Sequence, residues 1–147
     1  MTAWTIVVPG QPVAKGRPRF APSTGRAYTP ERTVRYESLV ALVARGVLDR
    51  IHEDAVVEVE ILAVFERPKR LLRARDPDGL VPHITKIDLD NVCKAGIDGL
   101  SAHLRDQQVQ RLSASKWYAE RGGQPRTEIT VRIVPHADAG PARKETT

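Results

Sequence analysis

The stretch that most limits the fold is AVVEVEILAVF, residues Ala55 to Phe65. Val57, Val59, Ile61, Ala63 and Phe65 alternate with Glu58 and Glu60, and a two-residue period of this kind turns one set of side chains to a core and the other to water. Leu62 and Val64 replace the polar partners near the end, so that end is expected to be covered on both faces. With the two helices read below, the pattern points to an α/β (α+β) chain: a small mixed β-sheet with two main helices.

The flanking segments fill in this scheme. Thr5–Val8 reads as a short strand stopped by Pro9-Gly10, and PGQPVAKGRPRFAPSTGR is too rich in proline and glycine for regular structure. Thr29-Pro30-Glu31 reads as a helix start, with Thr29 as cap, and Tyr36, Val40, Val43 and Val47 at helical spacing carry that helix to about Arg50. From Glu66 to about Ile87 a polar loop is expected, long enough to be functional or mobile. A second helix is expected from about Asp90 to His103, with Cys93, Ile97, Leu100 and Leu104 as its core stripe. Gln108–Glu120 and Arg126–Val134 read as strands on either side of the turn ERGGQP. The chain is then one domain, residues 1–134, followed by a small polar tail, 135–147, expected to be disordered.

Composition narrows the function. Of 147 residues, 41% are hydrophobic and 28% charged, which suits a globular domain with a real core. Cys93 is the single cysteine, so neither an intramolecular disulfide nor a cysteine-rich zinc site is available. No apolar run is long enough to span a bilayer, and the N-terminus lacks the pattern of a secretory signal. The formal net charge is +5. Lys15, Arg17, Arg19 and Arg26 form one basic cluster, and Arg67, Lys69, Arg70, Arg73 and Arg75 another, both in expected loops. A solvated basic surface explains this, and so does a polyanionic partner such as nucleic acid.

Against that excess, KIDLDNVCKAGIDGL sets Asp88, Asp90 and Asp98 around Lys94. Two carboxylates about 4 Å apart repel by roughly 4 kcal/mol at an effective dielectric near 20, so something must offset them. If the helix starts near Asp90, then Asp90, Lys94 and Asp98 form one ridge, and Asp88 in extended chain points the same way as Asp90. Two readings stand. In one, the aspartates cap the helix and pair with Lys94, and Asp98 is solvated. In the other, carboxylate oxygens hold Mg²⁺, with Mn²⁺ as a substitute, at a phosphodiester. DLDNV also fits the D-x-D-x-[TV] pattern of haloacid-dehalogenase-type phosphatases, but PHITKI is a poor strand to precede it, and only 57 residues follow Asp90.

DLDNVCKAGIDGL followed by LRDQQV resembles the signature of RusA-type Holliday junction resolvases. VVPGQPVAKGRPRF, YTPERTVRYE, RPK, HITK and SKWYAERGGQPRTEITVRI resemble the family's further segments in order, the last as a closing hairpin, over about residues 4–134. The resemblance implies a homodimeric, Mg²⁺-dependent endonuclease that cuts branched DNA, the four-way junction, in the cytoplasm of a bacterium, whether bacterial or phage-encoded. It implies Asp88, Asp90 and Asp106 as metal-binding catalytic carboxylates and Lys94 as the catalytic lysine. It gives Asn91 a structural place, and leaves Asp98 outside the catalytic set. Two departures accompany it: Arg105 stands before Asp106 where relatives often carry an acid, and Ile87 stands where proline is common. A DNA-binding protein that has lost catalysis, or a nuclease preferring forks or flaps, are the alternatives.

Lys15, Arg17, Arg19, Lys86 and Lys116 are the expected phosphate contacts. His83 is placed in the loop, beside phosphate on one reading, and His103 at a helix end. Trp4 and Trp117 are read as core or dimer residues, and Cys93 as packing.

Overall fold

A computed structural model describes residues 2–141. The strands are β1 (Thr2–Pro9), β2 (Arg19–Phe20), β3 (Ala27–Tyr28), β4 (Val56–Phe65), β5 (Val81–Pro82), β6 (Val109–Tyr118) and β7 (Arg126–Val134). The helices are α1 (Glu31–Arg45) and α2 (Leu89–Asp98). Five strands form one mixed sheet in the order β1-β7-β4-β6-β5, and β2 pairs with β3 in a separate small hairpin.

The alternating stretch becomes the central strand. β4 runs parallel to β6 and antiparallel to β7. Val57, Val59, Ile61, Ala63 and Phe65 are all buried, and so is Val64 on the opposite face. The first five lie on the face covered by the helices, where Tyr36, Val40 and Ala44 of α1 and Cys93 and Ala95 of α2 join Ile6, Val8, Ile129 and Val131 in one core. The other face is mostly polar. There Arg132 reaches Glu60 at 3.3 Å, Arg111 reaches Glu58 at 3.3 Å, and Thr5 and Thr130 share a hydroxyl hydrogen bond of 3.2 Å.

Several expectations change. The last two long strands do not form a hairpin, because β4 lies between β6 and β7. The segment 119–125 must cross two strand spacings, about 10 Å, which seven residues do easily and a tight turn does not. Ala119 N–H still donates to Phe65 O at 2.8 Å, and Gly122 turns the chain at φ 79°. α1 ends at Arg45 rather than near Arg50, and Gly46, a poor helix former, stands at its C-cap. Val47 is therefore exposed, and Leu48 and Ile51 enter the core instead. Thr29 does not cap α1; Pro30 occupies that position, and its carbonyl accepts from Thr33 and Val34. α2 ends at Asp98, where Gly99 meets α1 so closely that a Cβ there would lie 2.6 Å from Val40 Cβ. His103 accordingly sits in the following turn, and its carbonyl accepts from Ile51 N–H at 2.8 Å.

The loop from Glu66 to Ile87 is tied down. Arg67 is buried, and its guanidinium donates to the carbonyls of Leu71 (2.8 Å), Gly79 (3.3 Å) and Pro77 (2.5 Å). It holds the loop closed from inside and is removed from the basic surface. His83 is buried too, stacked on Tyr118 at 4.3 Å between ring centroids and set edge-on to Phe65 at 4.7 Å. It belongs to a core cluster, not to a phosphate contact. In the tail, residues 136–138 form one 3₁₀ turn, and Ala139 O accepts from Gln110 Nε2 at 2.9 Å; residues 142–147 lie outside the described ones.

Candidate active site

α2 begins where an extended segment meets the sheet. Asp88 is the N-cap residue with φ −74° and ψ 120°, and its side chain makes no capping hydrogen bond. Asp90 and Lys94 follow on the first two turns, both exposed. Asp106 comes from a different element, the 3₁₀ turn Asp106–Gln108 that leads into β6. Asp90, Lys94, Asp98 and Asp106 line one groove of about 580 Å³, whose floor is Leu89, Cys93, Ile97, Val109, Leu112 and Ala114. An apolar floor beneath the charges of Asp90, Lys94 and Asp106 is a low-dielectric place to bind a charged ligand.

The structure therefore brings Asp90, Lys94 and Asp106 together. It does not bring Asp88 into the groove. Among the described residues no group of three or more histidine, cysteine, aspartate or glutamate side chains is gathered as for a metal ion. Two hard carboxylate donors facing one groove nevertheless suit Mg²⁺ or Mn²⁺, which take one or two protein carboxylates and fill the remaining positions with water and substrate phosphate. The i, i+4 ion pair between Asp90 and Lys94 does not form among the described contacts, so both groups face the groove unneutralised by each other.

Asp98 is different in kind. Its carboxylate accepts from Lys15, whose ammonium also reaches Glu37 Oε1 at 3.1 Å. Lys15 thus staples the N-terminal loop to both helices, and the hydrogen bond to Asp98 raises its pKa above the ordinary lysine value, against desolvation. The backbone adds to the staple: Lys15 N–H donates to Asn91 O at 2.9 Å, and Gly16 N–H to Thr33 Oγ1 at 3.0 Å. Lys116 is likewise occupied. Its ammonium donates to Thr85 O (3.1 Å) and Ile87 O (2.5 Å), holding the chain immediately before Asp88. The signal was in the strand's own period, since Lys116 is in phase with Ala114 and Tyr118 on the helix-covered face. Arg17, Arg19 and Lys86 remain exposed.

Two further residues position the site. Gln108 is buried; its Oε1 accepts from Arg105 N–H at 2.9 Å, and its Nε2 donates to His52 O at 2.7 Å and Ala55 O at 3.3 Å. It clamps the turn bearing Asp106 to the start of β4. His83 Nδ1 faces Thr85 N–H at 3.3 Å, and Thr85 Oγ1 meets the Tyr118 hydroxyl at 3.1 Å, so the aromatic cluster supports the approach to Asp88. Burial lowers the His83 pKa, and the Lys116 and Arg70 charges lower it further. Cys93 is buried, and burial pushes its thiol up, away from nucleophilic use.

The family model for Endodeoxyribonuclease RusA matches residues 9–132, from the end of β1 to near the end of β7. The chain belongs to the RusA endodeoxyribonuclease family. Within the RusA match lie all four groups Asp88, Asp90, Lys94 and Asp106. A relative, the uncharacterized protein YqaN of Bacillus subtilis (strain 168), is 32% identical over 139 residues, covering 88% of this chain and 95% of its own length. Family membership makes the chain one of a group of DNA endonucleases. No helix among the described residues is long and apolar enough to cross a membrane.

Proposed function

We propose that this RusA-family chain is a divalent-metal-dependent endonuclease that resolves four-way DNA junctions by paired phosphodiester hydrolysis, working as a homodimer. The observation that carries the reading is the shared groove. Asp90 and Lys94 from α2 and Asp106 from the turn before β6 face one cavity, although the two aspartates are 16 positions apart in sequence.

Asp90 and Asp106 are the residues to hold Mg²⁺ or Mn²⁺ from within the groove, and Asp88, exposed two residues before Asp90 on a segment held by Lys116, would have to turn toward them to serve as the third ligand that the family resemblance implies. The ion, when bound, supplies Lewis acidity at the phosphoryl oxygen and a stronger water nucleophile. Lys94 places an ammonium where charge develops on the phosphate, or orients the attacking water. Arg17, Arg19 and Lys86 hold the flanking phosphates, whereas Lys15 and Lys116 act through the internal contacts that shape the site. Dimerisation has a physical rationale: a junction presents two symmetric strands, and a two-fold protein presents two matching sites.

A second reading keeps DNA binding without catalysis. It is favoured by Arg105, which stands where relatives often carry an acid and turns to Glu53 at 3.4 Å. One panel decides between them: junction, fork, flap and linear duplex, each with and without Mg²⁺. Paired nicks on the junction are expected, with Asp90→Asn retaining binding and losing cleavage. Normal cutting by Asp90→Asn would refute the site. Salt-sensitive junction binding with no cleavage under any divalent ion would establish the second reading. Preferential cutting of forks or flaps would reassign the substrate.

A further inference from the structure

The β2–β3 hairpin has all four of its strand residues exposed and has no place in the groove described above. Its two-residue strands pair Arg19 with Tyr28 and Phe20 with Ala27. Phe20 is 73% exposed, far more than an aromatic ring on a solvated surface needs to be, and Tyr28 is half exposed on the opposite side. The charge around them is of one sign. From Thr2 to Pro30 the sequence holds Lys15, Arg17, Arg19 and Arg26 and no acidic residue. Arg17 and Arg19 also line a groove of about 330 Å³ with Arg32 of α1, over Val13, Gly16, Pro30 and Thr33, and no carboxylate is among its lining residues.

An exposed ring next in sequence to an arginine that lines a purely cationic groove matches one class of ligand, a nucleobase with its phosphates. Bases stack on aromatic side chains whatever their identity, and arginines take the adjoining phosphates. In continuous duplex the base faces are covered by their neighbours. A ring can stack only where the duplex is interrupted, so Phe20 suits unstacked bases at a branch point rather than a helical arm.

The root of the hairpin is fixed beside the candidate active site. Lys15 donates its backbone N–H to Asn91, next to Asp90, and its ammonium to Asp98 and Glu37. Gly16 lies so close to Pro30 that a Cβ would come within 2.8 Å of its ring. From that anchor, four residues of extended chain reach at most about 14 Å to Phe20, roughly four nucleotide steps of about 3.4 Å. A base held on Phe20 therefore sets which phosphate falls in the groove.

We propose that the 17–28 hairpin reads the branch: Phe20 stacks on a DNA base left unstacked at the crossover, while Arg17, Arg19 and Arg32 bind the phosphates beside it. The proposal deepens the nuclease reading and rests on DNA as the substrate, not on the metal site. It is tested in EDTA, so that cleavage plays no part, with four-way junctions carrying 2-aminopurine either at the crossover or in mid-arm. The wild-type chain should change the fluorescence of the crossover probe and leave the mid-arm probe unchanged. Phe20→Ala should abolish that change and weaken junction binding by roughly 5- to 150-fold, the range for one lost base stack. Phe20→Trp should preserve both, and affinity for linear duplex should be the same in all three proteins. Wild-type junction affinity and fluorescence response in Phe20→Ala would overturn the proposal while leaving the nuclease reading standing. A wild-type chain that binds none of these DNAs would overturn both. Sedimentation of Phe20→Ala as a smaller species than wild type would show that the ring is covered by a second copy of the chain, which also overturns it.

Discussion

Replacing Gln108 with alanine should damage both stability and cleavage, because its buried amide ties the Asp106 turn to the segment that leads into β4. The substitution removes the acceptor for Arg105 N–H at 2.9 Å and the donors to His52 O at 2.7 Å and Ala55 O at 3.3 Å. Two well-formed hydrogen bonds contribute about 1 kcal/mol each in net terms, and a carbonyl left without a partner away from water costs on the order of 1 kcal/mol more. Loss of one buried methylene adds about 0.8 kcal/mol. His52 is exposed, so water recovers part of this, and the expected loss is about 2–3 kcal/mol. Urea unfolding followed by far-ultraviolet circular dichroism reads it as a lower midpoint at unchanged slope. At a temperature where the variant stays folded, junction cleavage should fall on the order of 10- to 100-fold, since a displacement of about 1 Å at a catalytic group has that effect. A stability loss below about 0.5 kcal/mol would refute the clamp. Lost stability with full cleavage would show that the amide holds the fold and not the site.

Three other outcomes are expected. Gly99→Ala should cost about 1–3 kcal/mol by overpacking, because its methyl would sit 2.6 Å from Val40 Cβ, and Val40→Ala in the same chain should restore part of the loss; denaturant midpoints of the single and double variants check this. Arg67→Lys removes the fork that joins three carbonyls, so residues 69–82 should become open to limited proteolysis and amide exchange, with a smaller effect on global unfolding. His83 has a pKa lowered in the folded chain by burial first, then by Lys116 and Arg70, from an ordinary value of 6.5. The unfolded chain therefore binds the proton more readily, and the stability contribution, complete above that value, is lost as pH falls below it toward the folded pKa. Unfolding free energies at pH 7.5 and 5.5 should differ less in His83→Phe than in wild type; equal differences would rule the histidine out.

Much of the site was legible because it is local. Asp88, Asp90 and Lys94 lie within seven residues, and helical and extended periodicity alone place them at one helix entrance. Arg67 and His83 are hard to read from sequence for one reason. Charged or polar residues in a polar segment look solvated, and only the neighbours they meet on folding, three carbonyls and two aromatic rings, take them out of solvent. Phe20 escaped notice for the converse reason, since a phenylalanine in a loop is ordinarily assumed to find cover.

The sequence by itself determined the two helices, the four long strands, the buried face of β4 and the family, because side-chain period and a contiguous motif are properties of neighbouring residues, whereas the short strands β2, β3 and β5 lie in stretches that read as loop. Tertiary structure decided that β4 separates β6 from β7, that Asp106 shares a groove with Asp90 while Asp88 stands outside it, and that Lys15 and Lys116 serve as internal ties. Those outcomes depend on which distant segments come together, and that is settled by the packing of the whole core and by the need of each buried polar group for a partner.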